Sequence, residues 1–475
     1  MKILFAAAEC APFFKTGGLG DVMGSLPKSL AKKGNDVRVV VPFWRWMPNA
    51  YQQQMENWGE FYIKVGWCTK YVGVHAIKAD GVTYLFLDNR YYFDRQNLYG
   101  YYDDGERWAW FQQAVIELMQ QINFIPDILH CNDFHTAMIP FLLKEKYGWI
   151  WAYSGIKTVL TIHNLKFQGQ FGRQVLPELF GMQPDRYDDG TIRMGTAVNY
   201  LKAGIFYADK VTTVSPSYAA EIQTPDFGCG LDEILRMCNN KLSGILNGID
   251  YESNNPATDP NLVQHFDRRH LKGKVRDKAA LQQMFGLPVR KDVPLIGMVS
   301  RLTSQKGFQL VVSEMMNMLN FDLQFAILGT GDANYEHDFW YFSHNFHNKC
   351  AAMIKFDPGI AQQIYGGADM FLMPSSFEPC GLSQMIAERY GTLPIVHQIG
   401  GLRDTVEPYN QFTNEGDGFG FEDFSGYNMV QCVKKALATY KDKKTWRTLM
   451  DHAMQKDFSW RLQSQKYIDL YHELV

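Results

Sequence analysis

The stretch Lys15-Thr16-Gly17-Gly18-Leu19-Gly20-Asp21-Val22 follows an apolar run, Ile3 to Ala8, and precedes a helical pattern. A strand, a glycine-rich loop and a helix start form a site suited to phosphate. Glycines let the backbone approach an anion closely, and the helix N-terminus carries partial positive charge. Lys15 adds a full positive charge. The spacing fits neither a Walker A loop nor a dinucleotide fingerprint, and a tight turn without a ligand is the alternative interpretation.

The length and composition bound the class of protein. At about 100–200 residues per domain, a chain of 475 residues predicts two or three domains. The net charge of −3 gives no reason to expect a nucleic acid or an anionic membrane as a partner. The N-terminus lacks the features of a signal peptide, and no apolar run is long enough for a membrane helix. The eight cysteines are scattered without a Cys-x-x-Cys motif, which favours a reducing cytoplasm. The oligomeric state is not indicated.

Apolar runs rich in β-branched residues alternate with amphipathic segments along the whole chain. This alternation predicts an α/β fold of parallel sheets with helices on both faces. Pro27 either kinks the first helix or marks its first turn. A turn signal at Asn247-Gly248-Ile249-Asp250 separates two doubly wound units. We therefore predict domains over residues 1–246 and 247–456, with a C-terminal helix over 457–475 that crosses back to the first domain.

Polar clusters follow several of the predicted strands, at the ends where open α/β sheets bind ligands. They are His130–His135, Thr161–Leu165, Ser300–Gly307, Phe377–Leu382 and Gly400–Thr405. Arg301 and Lys306 could clamp a pyrophosphate, one as a fork and the other as a point charge. Taken singly, each has a structural alternative: a satisfied core histidine for His163, solvated charges for Arg301 and Lys306, and a helix cap for Asp404.

Two absences narrow the chemistry. No Asp-x-Asp occurs, and no cluster has the spacing of a zinc site, so we expect no metal and no cofactor. A diphosphate would then be neutralised by Lys, Arg and helix dipoles. The run Gly329-Thr330-Gly331-Asp332-Ala333-Asn334 breaks the dinucleotide fingerprint at its third glycine, which argues against an NAD oxidoreductase.

The motifs together resemble those of the bacterial glycogen/starch synthases, which transfer glucose from ADP-glucose to an α-1,4-glucan. The matching segments span nearly the whole chain in family order: Lys15–Val22, Thr161–Leu165, Asn199–Gly204, Leu246–Asp250, Ser300–Gly307 and Pro374–Leu382. The resemblance implies a GT-B architecture, in which two Rossmann-like domains face each other across a cleft. It also implies retention of the anomeric configuration without a metal.

The resemblance also assigns roles to residues. It implies that Arg301 and Lys306 hold the pyrophosphate, and that His163 and Glu378 contact the transferred glucose as catalytic residues. It implies substrate binding by Lys15, Gly17, Gly18, Asp21, Asp133, Asn164, Asn247, Cys380, Gly381, Leu382 and Thr405. Some retaining relatives carry a second glutamate eight residues after the first; Ile386 stands there, and Glu388 is out of register.

One well-placed carboxylate favours a front-face displacement over a mechanism with two carboxylates. The alternatives left open are a related transferase that uses UDP-glucose or another acceptor, and a non-catalytic glucan-binding protein. The second is disfavoured by the presence of Lys15, His163, Arg301, Lys306 and Glu378.

Overall fold

The computed structural model describes residues 1–475, and the chain divides into two compact units. The first unit comprises Met1–Gly248 together with Trp460–Val475, and the second comprises Ile249–Ser459. The first unit is therefore built from two separate stretches of the chain.

The first 248 residues form twelve strands in two sheets. The strands are β1 (Lys2–Ala6), β2 (Asp36–Pro42), β3 (Glu56–Val65), β4 (Cys68–Ala79), β5 (Val82–Asp88), β6 (Ile128–Asn132), β7 (Lys157–Ile162), β8 (Gln170–Gly172), β9 (Arg193–Met194), β10 (Ala197–Asn199), β11 (Lys210–Thr213) and β12 (Leu242–Gly244). The main sheet has the order β12-β11-β7-β6-β1-β2-β5-β4-β3, and β8, β10 and β9 form a small second sheet.

The helices of this part of the chain are α1 (Gly18–Lys32), α2 (Asn49–Gln52), α3 (Arg90–Phe93), α4 (Asp104–Gln121), α5 (Met138–Glu145), α6 (Asp185–Asp188), α7 (Tyr200–Tyr207), α8 (Pro216–Glu221) and α9 (Asp232–Met237), with a π-helix at Leu176–Phe180. Pro27 lies inside α1, so it does not mark the first turn of that helix.

The hairpin β3–β4 was not among the predicted strands. It extends the main sheet with antiparallel pairs, β4 on β5 and β3 on β4. Its turn uses Gly66 at φ 57°, and a Cβ there would lie only 1.8 Å from the carbonyl oxygen of Glu178. Glycine is therefore required where this hairpin packs on the rest of the unit.

The second unit contains a single sheet of six parallel strands. They are β13 (Leu295–Val299), β14 (Gln324–Gly329), β15 (Cys350–Ile354), β16 (Met370–Met373), β17 (Leu393–His397) and β18 (Phe419–Phe421), in the order β15-β14-β13-β16-β17-β18. Each neighbouring pair is parallel. Four of the six strands, β13, β14, β16 and β17, lie where the sequence has predicted buried apolar runs, whereas β15 and β18 were not predicted.

The remaining helices are α10 (Lys272–Met284), α11 (Phe308–Met318), α12 (Ala333–Asn345), α13 (Pro358–Gly367), α14 (Ser383–Arg389), α15 (Gly400–Thr405), α16 (Gly426–Lys441), α17 (Lys443–Gln455) and α18 (Trp460–His472). The last of them, α18, belongs to the first unit. It is fixed on α1 and on the residue that follows α1: the hydroxyls of Ser29 and Ser464 are 2.8 Å apart, and Lys33 donates to Gln465 at 2.8 Å.

Candidate functional site

Each main sheet has one point at which the chain reverses its direction of strand addition. It lies between β1 and β6 in the first unit and between β13 and β16 in the second. Ligands of open α/β sheets bind outside the carboxyl ends of the strands at such points. Asp133 directly follows β6, Arg301 follows β13 closely and Glu378 lies on the loop after β16. We call the residues around the first point the first half-site and those around the second point the second half-site, and each is described within its own unit.

Asp133 organises the first half-site. Its backbone has φ 55°, in the left-handed region that few residues other than glycine adopt. Its Oδ1 accepts the backbone N–H of His163 at 2.7 Å and that of Asn164 at 3.4 Å. Burial raises the pKa of the Asp133 carboxyl to about 7, although both of these bonds favour the charged form. This carboxyl therefore changes its charge near neutral pH.

The protonation state of His163 follows from its neighbours. Its Nε2 lies 2.9 Å from Oδ1 of Asn132, while the Asn132 amide donates to the carbonyl of Ala6 at 3.1 Å. The Asn132 oxygen must then accept, so His163 carries its proton on Nε2 and leaves Nδ1 as an acceptor. Burial lowers the pKa of His163 to about 3, which keeps the ring neutral.

Glu9 belongs to this half-site and was missed by the sequence analysis. The residue is only 4% exposed. It accepts the backbone N–H groups of Thr16 and Gly17, the Thr16 hydroxyl at 3.0 Å and the Tyr99 hydroxyl at 2.7 Å. Part of the anion-binding capacity of the glycine-rich loop is thus used by a carboxylate of the chain itself. In the sequence, Glu9 could have been found only as a single acidic residue just beyond β1, the strand beside which the direction of strand addition reverses.

Lys15 and Asp21 form an ion pair, with Nζ and Oδ1 2.6 Å apart. Both side chains are well exposed, at 42% and 39%. An exposed pair of this kind is worth only about 0–1 kcal/mol. A phosphate group could therefore compete with Asp21 for Lys15.

The two predicted asparagines of the first unit differ in their surroundings. Oδ1 of Asn164 accepts the backbone N–H of Lys166 at 3.1 Å. Asn247 is 4% exposed, and its Oδ1 has no hydrogen-bond partner. An unpaired buried acceptor lowers the stability of the folded chain. The Oδ1 of Asn247 is therefore available to accept a hydrogen bond from a ligand, at a cost in stability.

Lys306 and Glu378 are joined directly in the second half-site. Nζ of Lys306 lies 2.6 Å from Oε2 of Glu378, and the Ser375 hydroxyl donates to the same oxygen at 2.9 Å. The side chains are only 19% and 6% exposed. The loop reaches this position because Gly307, at φ 77°, has no Cβ; one would lie 1.8 Å from the carbonyl oxygen of Pro374. From the sequence, Lys306 is expected to bind pyrophosphate and Glu378 to bind glucose, so their direct pairing was not predicted.

Arg301, unlike Lys306, has no partner within the chain. It lies at the end of β13 and is exposed, and its guanidinium makes no hydrogen bond or ion pair within the chain. It is therefore a free cation beside the point at which the direction of strand addition reverses in the second unit.

The loop before α14 and the helix α15 carry the other residues predicted for the second unit. Gly381 has φ 71°, and Cys380 is buried. Thr405 is 1% exposed; its hydroxyl donates to the carbonyl of Gly401 at 2.6 Å and accepts from Gln384 at 3.1 Å. The Thr405 side chain is thus fully engaged within the unit, and its contact with substrate stays a prediction.

Glu388, which the sequence analysis left out, is fully buried, with Oε1 3.7 Å from Nζ of Lys456. Burial raises the pKa of Glu388 well above its usual range. No group of three or more His, Cys, Asp or Glu side chains is placed to hold a metal ion. None of the helices combines the length and the apolar character needed to cross a bilayer.

Comparison with known proteins gives consistent findings over the whole chain. Residues 2–237 match the starch synthase catalytic domain, and residues 281–448 match the glycosyl transferases group 1. The chain is 66% identical to the glycogen synthase of Ligilactobacillus salivarius (strain UCC118), over 100% of both chains. It is 58% identical to the glycogen synthase of Lactobacillus acidophilus (strain ATCC 700396 / NCK56 / N2 / NCFM), again over 100% of both.

Solved structures agree with this result. The catalytic domain of starch synthase IV from Arabidopsis thaliana, bound to ADP and acarbose, superposes with a TM-score of 0.93 at 32% identity. The match covers 100% of this chain and 99% of that chain. A sucrose-phosphate synthase from Thermosynechococcus elongatus, at 17% identity and a TM-score of 0.64, shares the fold.

Proposed function

Because the chain belongs to the glycogen synthase family, we propose that it transfers glucose from ADP-glucose to the non-reducing end of an α-1,4-glucan, with retention of configuration. The observation that carries this proposal is the buried Lys306–Glu378 pair on a unit that also offers the free cation Arg301. It supplies positive charge for a departing diphosphate and negative charge for a sugar that becomes cationic. The ADP in the starch synthase IV structure supports the choice of nucleotide.

The cations act on the leaving group. The guanidinium of Arg301 is free to bind phosphate oxygens through two parallel N–H donors. Lys306 is already held in place by Glu378, so it loses little side-chain entropy when it contacts phosphate. Within the first unit, Lys15 and the glycine-rich loop, with Gly18 at the start of α1, provide positive charge suited to a phosphate group.

Glu378 acts on the sugar. Lys306 and Ser375 both bind its Oε2, and its Oε1 has no hydrogen-bond partner in the chain. The free oxygen can accept a glucose hydroxyl while the carboxylate charge stabilises the developing oxocarbenium ion. The backbone of Cys380, Gly381 and Leu382 supplies further hydrogen bonds to the glucose hydroxyls.

In the first half-site, the neutral His163 offers its Nδ1 acceptor and its backbone carbonyl to the transferred glucose. Asp133 holds the His163 backbone through the 2.7 Å bond. Asp21, Asn164 and Asn247 bind the sugar or the acceptor, and the unpaired Oδ1 of Asn247 is suited to a hydroxyl donor.

The reaction is a displacement on one face of the sugar. The bond from the anomeric carbon to the phosphate oxygen breaks, and a bond from that carbon to the acceptor oxygen forms. The departing phosphate takes the proton of the acceptor hydroxyl, so ADP leaves and the atoms balance. A double displacement would need a second carboxylate about 5 Å from the first. Glu388 is unsuited to that role, because it is fully buried beside Lys456.

The partners that we propose are therefore ADP-glucose and glycogen or another α-glucan. The eight free cysteines support a cytoplasmic location, since a reducing compartment keeps thiols unpaired.

Incorporation of radiolabelled glucose into glycogen tests this proposal. With ADP-glucose we expect label to enter glycogen, and we expect an α-1,4-specific glucosidase to release that label as glucose. A parallel reaction with UDP-glucose examines the choice of donor, and one with maltose examines the acceptor. Efficient transfer from UDP-glucose alone, or a β-linked product, would contradict the proposal.

A further inference from the structure

Gln384, in the first turn of α14, is a buried residue without a role in the function described so far. It is 0% exposed. Its Nε2 donates to the carbonyl of Cys380 at 3.0 Å, to the carbonyl of Gly381 at 3.0 Å and to the Thr405 hydroxyl at 3.1 Å. The side chain thus joins the loop before α14 to the helix α15.

The chemistry of these partners fixes the orientation of the Gln384 amide. Two of them are carbonyl oxygens, which only accept. The Thr405 hydroxyl already gives its hydrogen to the carbonyl of Gly401 at 2.6 Å. None of the three groups has a hydrogen to give to Gln384, so the amide nitrogen, which carries two hydrogens, must face them. Its Oε1 has no partner and lies where a Cβ on Gly381 would come within 2.4 Å.

The consequence for the loop follows from peptide geometry. In a trans peptide the C=O and the following N–H point in opposite directions. Holding the carbonyls of Cys380 and Gly381 toward Gln384 turns the N–H groups of Gly381 and Leu382 away from it. Neither of these N–H groups has a hydrogen-bond partner in the chain. They are free donors whose direction is set by one side chain.

We infer that Gln384 is a positioning residue, which aims the N–H groups of Gly381 and Leu382 at the hydroxyls of the transferred glucose. The inference rests on the proposed function. It predicts different effects on the binding of the glucose part and the ADP part of the donor. A loop that is misaligned should lose the glucose contacts and keep those made by the cations to the phosphates. ADP, which lacks glucose, should therefore bind almost normally.

Two substitutions of similar size test this role. Gln384→Met removes the donor and keeps the length of the side chain. Gln384→Glu places a carboxylate against three acceptors. We expect kcat/KM for ADP-glucose to fall about tenfold or more in the first variant and about a hundredfold or more at pH 8 in the second. The Kd of ADP, measured by calorimetry, should change less than about threefold in both.

The pH dependence of the Gln384→Glu variant adds a second readout. A buried glutamic acid among carbonyl oxygens has a raised pKa, and its protonated form can donate one hydrogen bond. The activity of this variant relative to the wild type should therefore rise as the pH falls from 8 to 6. A role in stability alone predicts no such recovery in the kinetic constants.

Gln324 provides the matched control. It is also a buried glutamine of the second unit, and its Nε2 donates to the carbonyls of Pro288 at 2.9 Å and Asn348 at 3.4 Å. Gln324→Met should lower the melting temperature without changing kcat/KM for ADP-glucose.

Several results would overturn the inference. One is a folded Gln384→Met variant with kcat/KM within twofold of the wild type, and another is an equal loss of ADP affinity and of kcat/KM. If Gln384→Met fails to fold while Gln324→Met folds, Gln384 is required for folding and is not specifically a positioning residue. If the wild type itself transfers nothing from ADP-glucose, the proposed function fails, and that result is seen before any variant is compared.

Discussion

Oε2 of Glu378 accepts hydrogen bonds from Lys306 and Ser375. Because glutamine has nearly the shape of glutamate, Glu378→Gln removes the charge and keeps the shape. Glu378→Gln should lower kcat about a hundredfold or more, because a contact that stabilises charge in the transition state is lost. The affinity for ADP should stay the same or increase, since Lys306 is then free of its counter-ion. Steady-state kinetics and calorimetry measure the two effects.

Glu422→Gln is the control for this prediction. Glu422 is 73% exposed and pairs with Arg403 at 3.0 Å on the surface of the same unit. Its substitution should leave kcat unchanged. Turnover near the wild-type value in a folded Glu378→Gln enzyme would remove Glu378 from the mechanism.

Asp133 makes the stability of the first unit depend on pH. Its pKa is about 7 in the folded chain and about 3.9 in an unfolded one. Between these values the folded state binds more protons, so this carboxyl lowers stability progressively as the pH rises from 4 to 7. Asp133→Asn should therefore raise the melting temperature by at least about 2 °C at pH 8 and change it little at pH 4.

Tryptophan fluorescence can follow this transition, because most of the tryptophans lie in the first unit. Activity should fall in the same variant, since the charge beside His163 is gone. A stability difference that is equal at both pH values would contradict the assigned pKa.

The charged residues of the candidate site stand out singly in the sequence, but their pairing does not. Arg301, Lys306 and Glu378 stand out because they follow apolar strands of an α/β pattern. The direct bond between Lys306 and Glu378 depends on how β13 and β16 become neighbours, which local sequence does not show. Glu9 was missed for a similar reason, since its partners Thr16 and Tyr99 lie on other loops.

Among the elements, α18 has the clearest link to the site. The hydroxyl of Tyr471 in α18 lies 2.6 Å from Nδ1 of His130 on β6. Nε2 of His130 lies 2.6 Å from the Thr161 hydroxyl on β7. Burial lowers the pKa of His130 to about 3, so the ring is neutral and needs one donor and one acceptor.

Tyr471→Phe should destabilise the first unit by about 1–3 kcal/mol, because a buried ring nitrogen of His130 loses its partner. Chemical denaturation, followed by fluorescence, measures this change. The control is Tyr102→Phe, since Tyr102 is 96% exposed and should tolerate the loss of its hydroxyl. Equal stability of the two variants would show that the His130 contact contributes nothing.

The sequence predicted elements well where burial is complete and less well at the edges. The central strands are continuous apolar runs, because helices cover parallel sheets on both faces. The hairpin β3–β4 lies at the edge of its sheet, and exposed and buried residues alternate along part of β3. Such a strand lacks a continuous apolar run, and its turn at Gly66 is set by packing against Glu178.

At the scale of the whole molecule, charge decides the expected response to metal removal. In the proposed function, Lys15, Arg301 and Lys306 supply positive charge for a diphosphate, and no cluster of metal-binding side chains is present. Transfer in excess EDTA should stay within about twofold of the untreated rate, a barrier change below about 0.5 kcal/mol. Activity that is lost in EDTA and returns with Mg²⁺ or Mn²⁺ would contradict this expectation.

The division of the first unit between two stretches of chain has a consequence for its synthesis. The ribosome makes Met1–Gly248 first, but the helix that completes this unit begins only at Trp460. At about 5–20 residues per second, the intervening second unit takes roughly ten to forty seconds to translate. During that time the surface of α1 around Ser29, which α18 later covers, is open to chaperones. The second unit is one continuous stretch, so all of its residues are made before α18.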